Sequence, residues 1–152
     1  MKNTLIYHIY GIPGSGKTAF SKQIQKELRD LDISLALLDD DLLMGIEKSD
    51  AKKIVRILKK QCDIIILCSV VKPFIKGSSG IRLDCSYKTA KQRHDEVETK
   101  GSDNYKEYFK YWIPWSKGDD YVASYNTVST NTQELYKQFY NDVLSYDLNK
   151  IV

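Results

Sequence analysis

Few residues in this chain can offer sulfur or imidazole to a metal or form a disulfide framework. There are three cysteines and two histidines in 152 residues. No C-x-x-C pair or histidine-rich spacing occurs, which excludes a zinc site of the usual kinds. The odd set Cys62, Cys68 and Cys85 falls mostly in or beside apolar runs. That usage suits reduced, packed thiols in a cytoplasm, and no motif supports a catalytic cysteine. No apolar stretch is long enough to span a bilayer. The opening MKNTLIYHIYG is too short and polar for a signal peptide. The expectation is a cytoplasmic protein with no membrane partner. Arginine is scarce, with four against 19 lysines, and the formal net charge is only +3. That balance is too weak to indicate nucleic acid, and lysines spread along a chain read as a solvated surface. The length suits one domain over residues 1–152 with a real core.

What the chain does have is the stretch Gly11-Ile12-Pro13-Gly14-Ser15-Gly16-Lys17-Thr18. It fits the phosphate-loop pattern G-x-x-x-x-G-K-[ST], whose backbone N–H groups converge on nucleotide phosphates. Glycines at 11, 14 and 16 permit the unusual backbone angles and close approach. In this pattern Lys17 reaches the β- and γ-phosphates and the Thr18 hydroxyl ligates Mg²⁺. The apolar run Leu5–Tyr10 reads as the strand that leads in, and Ala19–Leu31 as the helix that leads out.

Strand and helix patterns then alternate, which points to an α/β fold with a parallel sheet. Phe20, Ile24, Leu28 and Leu31 form one apolar stripe on the first helix. Strand two is Ser34–Leu38, followed by Asp39-Asp40-Asp41. A helix over about Asp50–Lys60 precedes strand three, Ile64–Cys68, which is apolar throughout as a strand covered on both faces should be. Strand four is about Ile81–Asp84, a helix spans about Lys88–Glu98, and strand five is about Tyr121–Val128. The last helix opens with Asn131 as N-cap and Glu134 three residues on. Its Leu135, Phe139 and Val143 repeat every four residues and should dock on the sheet. Residues 99–118 have no clean period, and five tyrosines or tryptophans lie between Tyr105 and Trp115. The segment is either a lid that covers a ligand with aromatic faces or a loop that packs its own aromatics.

The reaction class follows from what accompanies the loop. A guanine-reading N-K-x-D stretch is absent, which argues against a GTPase switch. Strand three does not end in the Asp-Glu pair of motor ATPases. Asp39 and Asp41 instead end strand two, about twenty residues after Lys17. In a parallel sheet the C-terminal strand ends line one crevice, so both carboxylates should share a rim with the phosphate loop. A carboxylate there can accept a hydroxyl proton or hold water on Mg²⁺. Alternation along the chain lets Asp39 and Asp41 face the site together while Asp40 faces away. His8 reads as a core histidine, and His94 as a solvated helix position.

The phosphate loop, Leu38-Asp39-Asp40-Asp41, and Ser69-Val70-Val71-Lys72-Pro73-Phe74 together resemble adenylylsulfate kinases and their small phosphate-loop kinase relatives. The nine-residue spacing from Asp84 to Arg93 also matches. The resemblance covers most of the chain up to the final helix. It implies a three-layer fold with a five-stranded parallel sheet in the order 2-3-1-4-5. ATP would be held by Gly11, Pro13, Gly14, Ser15, Gly16, Lys17 and Thr18, with Arg93 against the nucleotide from the base of the lid. Mg²⁺ would sit near Thr18 and Asp39. Asp41 would orient or deprotonate the acceptor hydroxyl, and Ser69 would lie near the transferred phosphoryl. Residues 126–129 after strand five would underlie the base. Relatives of this kind are often dimers.

The departures fall on the acceptor side. Met44 stands where the family pattern has an arginine, and Phe74, Ile75 and Lys76 replace arginines after the proline. Lysine does not reproduce the bidentate contacts of arginine. Only Val70–Gly80 separate strands three and four, barely a parallel crossover, so its helix must be very short or absent. The reading is therefore an ATP- and Mg²⁺-dependent kinase acting on a hydroxyl of a small nucleotide-like metabolite. The alternatives are a nucleotide-binding regulator without phosphotransfer and a nucleic-acid end kinase.

Overall fold

The computed structural model describes residues 3–39, 43, 46–69, 74–97 and 121–151. The lid segment 99–118 and Asp41 lie outside the described residues. Strands β1 (Leu5–Tyr10), β2 (Leu35–Leu38), β3 (Ile64–Ser69), β4 (Ser79–Asp84) and β5 (Ala123–Asn126) form one sheet. Its order is β2-β3-β1-β4-β5 and every pairing is parallel, as expected. The helices with described bounds are α1 (Lys17–Arg29), α2 (Lys48–Leu58), α3 (Tyr87–Val97) and α4 (Thr132–Phe139). A π-helical turn, Tyr140–Leu144, continues α4 into α5 (Ser145–Ile151).

Alternation along the strands assigns the two faces. Tyr7, Ile9, Ile64, Ile66 and Cys68 pack with Phe20, Ile24 and Leu28 of α1 and with Leu135, Phe139 and Leu144. Their neighbours Ile6, Ile65 and Leu67 pack on the other face with Val55 of α2 and Ile75. Burial on both sides is why β3 carries no polar residue before Ser69. Aromatic rings join the first face: Phe139 meets Tyr7 edge-on with centroids 5.2 Å apart, and Phe20 at 5.6 Å. Such pairs contribute about 0.5–1.5 kcal/mol each beyond area burial.

Two tyrosines pin the C-terminal helices by their tips. Tyr7 donates to Asp147 Oδ2 (2.6 Å) and Tyr125 to Asp142 Oδ2 (3.0 Å). Burial, then the adjoining carboxylate, pushes both phenols well above the ordinary tyrosine range, so both stay protonated donors at neutral pH. Asn131 caps α4 by accepting from the Glu134 N–H at 2.9 Å.

Several boundaries differ from the sequence expectation. Helix α1 ends at Arg29, and Leu31 is 56% exposed rather than on the core stripe. The chain turns there through Asp32 at φ 56°, so the fourth stripe position swings into solvent. Strand β4 starts at Ser79 because Ser79 and Gly80 pair with Tyr7 and His8. That shortens the β3–β4 crossover further. Its described part, residues 74–78, is a turn closed by Ser78 N–H to Ile75 C=O (3.1 Å), with Gly77 at φ 84°. Strand β5 holds only four residues, fewer than the apolar pattern suggested.

Phe139 has no exposed surface and holds both Tyr7 and Phe20. Phe139→Ala should lower unfolding free energy by about 3–5 kcal/mol in urea titration. A loss under 1 kcal/mol would mean that the aromatic cluster is not the joint between helix and sheet.

Candidate phosphate-loop site

The loop between β1 and α1 is shaped by contacts that leave no room for a side chain at Gly11 or Gly14. A Cβ at Gly11 would press into Ser15 Oγ and the Leu83 carbonyl. Gly14, at φ 81°, lies against the Ala90 carbonyl of α3, where a Cβ would collide with backbone. Gly16, at φ 99°, is the left-handed residue from which α1 starts. Helix α1 therefore begins at Lys17, two residues before the apolar pattern indicates.

Lys17 is only 4% exposed. Its Nζ donates to the carbonyls of Gly11 and Ile12, both at 3.0 Å, so the side chain folds back over its own loop. The Ser15 hydroxyl is fully buried and has no hydrogen-bond partner among the described residues. Pro13 is buried as well, and Thr18 is exposed on the first turn of α1. A backbone loop too tight for a Cβ at Gly11 or Gly14, a cation above it and a helix N-terminus behind it fit a polyphosphate. The exposed Thr18 hydroxyl and the oxygens of Asp39 and Ser69, which stand at the ends of β2 and β3, are hard donors of the kind that suits Mg²⁺.

Register supplies the rim. Ser69, 4% exposed, pairs with Tyr10, the last strand residue before the loop. Leu38 is level with Leu67, so Asp39 follows at the end of β2 one strand further out. Its carbonyl accepts from the Leu43 N–H at 3.0 Å. Loop, Ser69 and Asp39 thus share the C-terminal edge of the sheet.

Arg93 closes the other side. Its guanidinium donates to the carbonyl of Thr127, to Thr127 Oγ1 (3.3 Å) and to Cys85 Sγ (3.7 Å). A Cβ on Gly16 would lie 4.0 Å from both Arg93 Nη1 and Thr127 Cβ. Arg93 therefore borders the phosphate loop, tied to the residues that follow β5. Thr127 is 4% exposed, and its N–H donates to the Asp84 carbonyl at 2.9 Å. Asp84 itself pairs with Arg82 (2.8 Å) rather than with Arg93. The resemblance matched Asp84 and Arg93 by their spacing alone, with no contact between them implied. It offered no sign of the Thr127 and Cys85 contacts, which depend on the β4–β5 pairing.

His8 is fully buried, with its ring edge-on to Phe74 at 5.6 Å, a core histidine as expected. Both ring nitrogens of His94 are buried, so it is not a solvated position. Below the loop, Ser21 donates to the Lys17 carbonyl (2.7 Å) and contacts Cys68 Sγ (2.7 Å). Cys68 and Ser21 are fully buried and serve the packing of α1 on β3.

Sheet order, loop and flanking helices define a phosphate-loop NTPase fold of the nucleotide-kinase type. Solved structures share it. A sugar kinase from Janibacter sp. HTCC2649 superposes with TM-score 0.66 at 14% identity, over 93% of this chain and 95% of that one. The adenylylsulfate (APS) kinase CysC of Mycobacterium tuberculosis, solved with AMPPNP and APS, gives 0.64 at 13% identity over 92% and 96%. A gluconokinase from Sinorhizobium meliloti 1021 gives 0.61 at 13% identity over 96% and 94%. The sequence model of one family, chromatin associated protein KTI12, matches residues 5–65. No curated protein matches the sequence. Among the described residues no helix is long and apolar enough to cross a membrane.

Gly14→Ala tests the cradle. The left-handed angle alone costs about 1–2 kcal/mol, and the Ala90 carbonyl adds a collision. For a chain of this size the melting temperature should fall by at least about 4 °C. An unchanged melting temperature would show that the loop does not rest on α3.

Proposed function

We propose that this protein is a kinase that transfers the γ-phosphoryl group of ATP to a hydroxyl of a small nucleotide-like metabolite. The observation that carries the proposal is the shared edge. A phosphate cradle with a buried lysine stands beside Asp39 and Ser69 on neighbouring strands, with Arg93 on the opposite flank. The kinase structures that share the fold support the same class.

Each residue has a defined task in this reading. The loop amides and Lys17 bind the ATP phosphates, and Lys17 exchanges its carbonyl partners for phosphoryl oxygens. Arg93, immobilised by Thr127, bounds the nucleotide pocket beside Gly16. Thr18 and Asp39 would hold Mg²⁺, and Ser69 would lie beside the reacting phosphoryl. Mg²⁺ in that position would neutralise charge on the phosphates. Asp41 orients the acceptor hydroxyl and takes its proton. Such transfer rests on positioning and charge neutralisation rather than covalent help from the protein.

A second reading, nucleotide binding without transfer, has two observations in its favour. The β3–β4 crossover leaves only residues 70–78 where an acceptor-binding helix would be needed. The match to the KTI12 family model also ends at β3, on the nucleotide-binding half.

The deciding experiment is ATP consumption with Mg²⁺ against adenylylsulfate, nucleosides, nucleoside monophosphates and short oligonucleotides. One acceptor should accelerate turnover and become phosphorylated, and Lys17→Ala should abolish that turnover. ATP binding with no turnover across the panel would favour the second reading. Asp41→Asn should retain ATP affinity while losing transfer by about 10²-fold or more. Unimpaired transfer would remove Asp41 from its role.

A further inference from the structure

The net charge of +3 conceals where the charge lies. Residues 48–60 hold six lysines and arginines against a single acid, Asp50, so the rest of the chain is net negative. Structure turns this run into a stripe. Ala51 and Val55 bury the inner side of α2, and Lys52, Lys53, Arg56, Lys59 and Lys60 are all exposed. The ion pairs among the described residues lie elsewhere, at Arg82–Asp84 and Lys150–Asp147, and none involves these five side chains. Cations in the last turn of a helix do complement its dipole, but that effect is confined to the last turn and does not account for Lys52 or Lys53.

Two grooves flank the stripe and share Arg56 and Lys59. One, of about 260 Å³, has Val55, Phe74 and Ile75 as its apolar lining, with Lys52 and Lys76 among its cations. The other, of about 860 Å³, runs past Asn3, Thr4 and Lys60 to Lys150. At the opposite end of α2 the Lys48 ammonium sits 5.5 Å over the Phe74 ring. An aromatic ring beside a line of cations is the chemistry that takes bases on one side and phosphates on the other.

We propose that the α2 face binds single-stranded nucleic acid, with Lys52, Arg56 and Lys59 along the phosphodiester backbone and Phe74 toward the bases. A lipid surface is a poorer match, because Ile57 is the one large apolar side chain that α2 exposes and the remaining apolar lining is recessed in a groove. The proposal is independent of phosphoryl transfer, since no residue of the stripe belongs to the phosphate-loop site.

The test is fluorescence anisotropy of a labelled twelve-residue oligothymidylate with the full chain over a salt series. The triple variant Lys52→Gln, Arg56→Gln, Lys59→Gln is compared with a control on the opposite face, Lys22→Gln, Lys26→Gln, Lys137→Gln. Circular dichroism melting establishes that both variants fold. Wild type and control should bind alike. The stripe variant should lose at least about tenfold in affinity at low salt. Its plot of log affinity against log salt should flatten by about 2, from roughly 0.7 per phosphate contact over three contacts. Unchanged binding by the stripe variant would overturn the proposal, as would equal losses in both variants, which would reflect net charge alone. Equal or tighter binding of a duplex with the same number of phosphates would also overturn it. So would capture by phosphatidylglycerol vesicles without oligonucleotide binding.

Discussion

A buried ammonium governs the working edge of this protein. Lys17 is almost out of contact with water, and a charge so placed is costly unless hydrogen-bonded. The carbonyls of Gly11 and Ile12 meet that requirement, which obliges the chain to curl around the lysine between β1 and α1. The curl in turn requires left-handed backbone at Gly14 and Gly16 and brings Gly14 onto α3. Loop, first helix and α3 are therefore packed together as one unit, with Gly14 against the Ala90 carbonyl and the Lys17 ammonium held by carbonyls of its own loop.

The rest of the molecule holds that unit still. Helix α1 is clamped from below by Ser21 against Cys68 and laterally by Phe20 against Phe139 and Tyr125. The C-terminal helices are fixed to the sheet by the tips of Tyr7 and Tyr125. On the far side, Thr127 ties the end of β5 to both Asp84 and Arg93, so the strand ends and α3 move together. The opposite face of the sheet is lighter. There α2 and the short turn around Phe74 and Ile75 do the covering, without a helix in the described part of the β3–β4 crossover.

Local patterns made the fold legible. An apolar strand, a glycine loop and a striped helix in series need no long-range information, and the alternation that follows forces a parallel sheet. Its order, however, came from resemblance, because strand order is a long-range property that periodicity does not carry. The site divides in the same way. Lys17, Thr18 and the glycines were readable because the loop is contiguous. Asp39 could be set on the rim because strand ends share an edge, whereas Ser69 came from the resemblance. The Arg93–Thr127 contact joins positions 34 residues apart and exists only because β5 pairs with β4. Leu31 misled for a local reason: the stripe continues in sequence after the helix has stopped, where Asp32 turns the chain. The lysines of α2 could be counted in the sequence, but their alignment along one exposed face required the buried positions of Ala51 and Val55 to be known.

The π-helical turn at Tyr140–Leu144 separates two otherwise ordinary helical segments. It holds one residue more than an α-helical turn would, which retards everything after it by about 100° of helical phase. Asp142 lies inside the turn and Asp147 just beyond it, yet both reach tyrosines on the same sheet. The extra residue acts as a spacer that times the second carboxylate to arrive on the sheet side. Loss of any single residue there would leave a helix of regular geometry whose last two turns are rotated away, with Leu148 toward water and Asp147 past its tyrosine. The chain length of this helix is thus constrained as tightly as its composition.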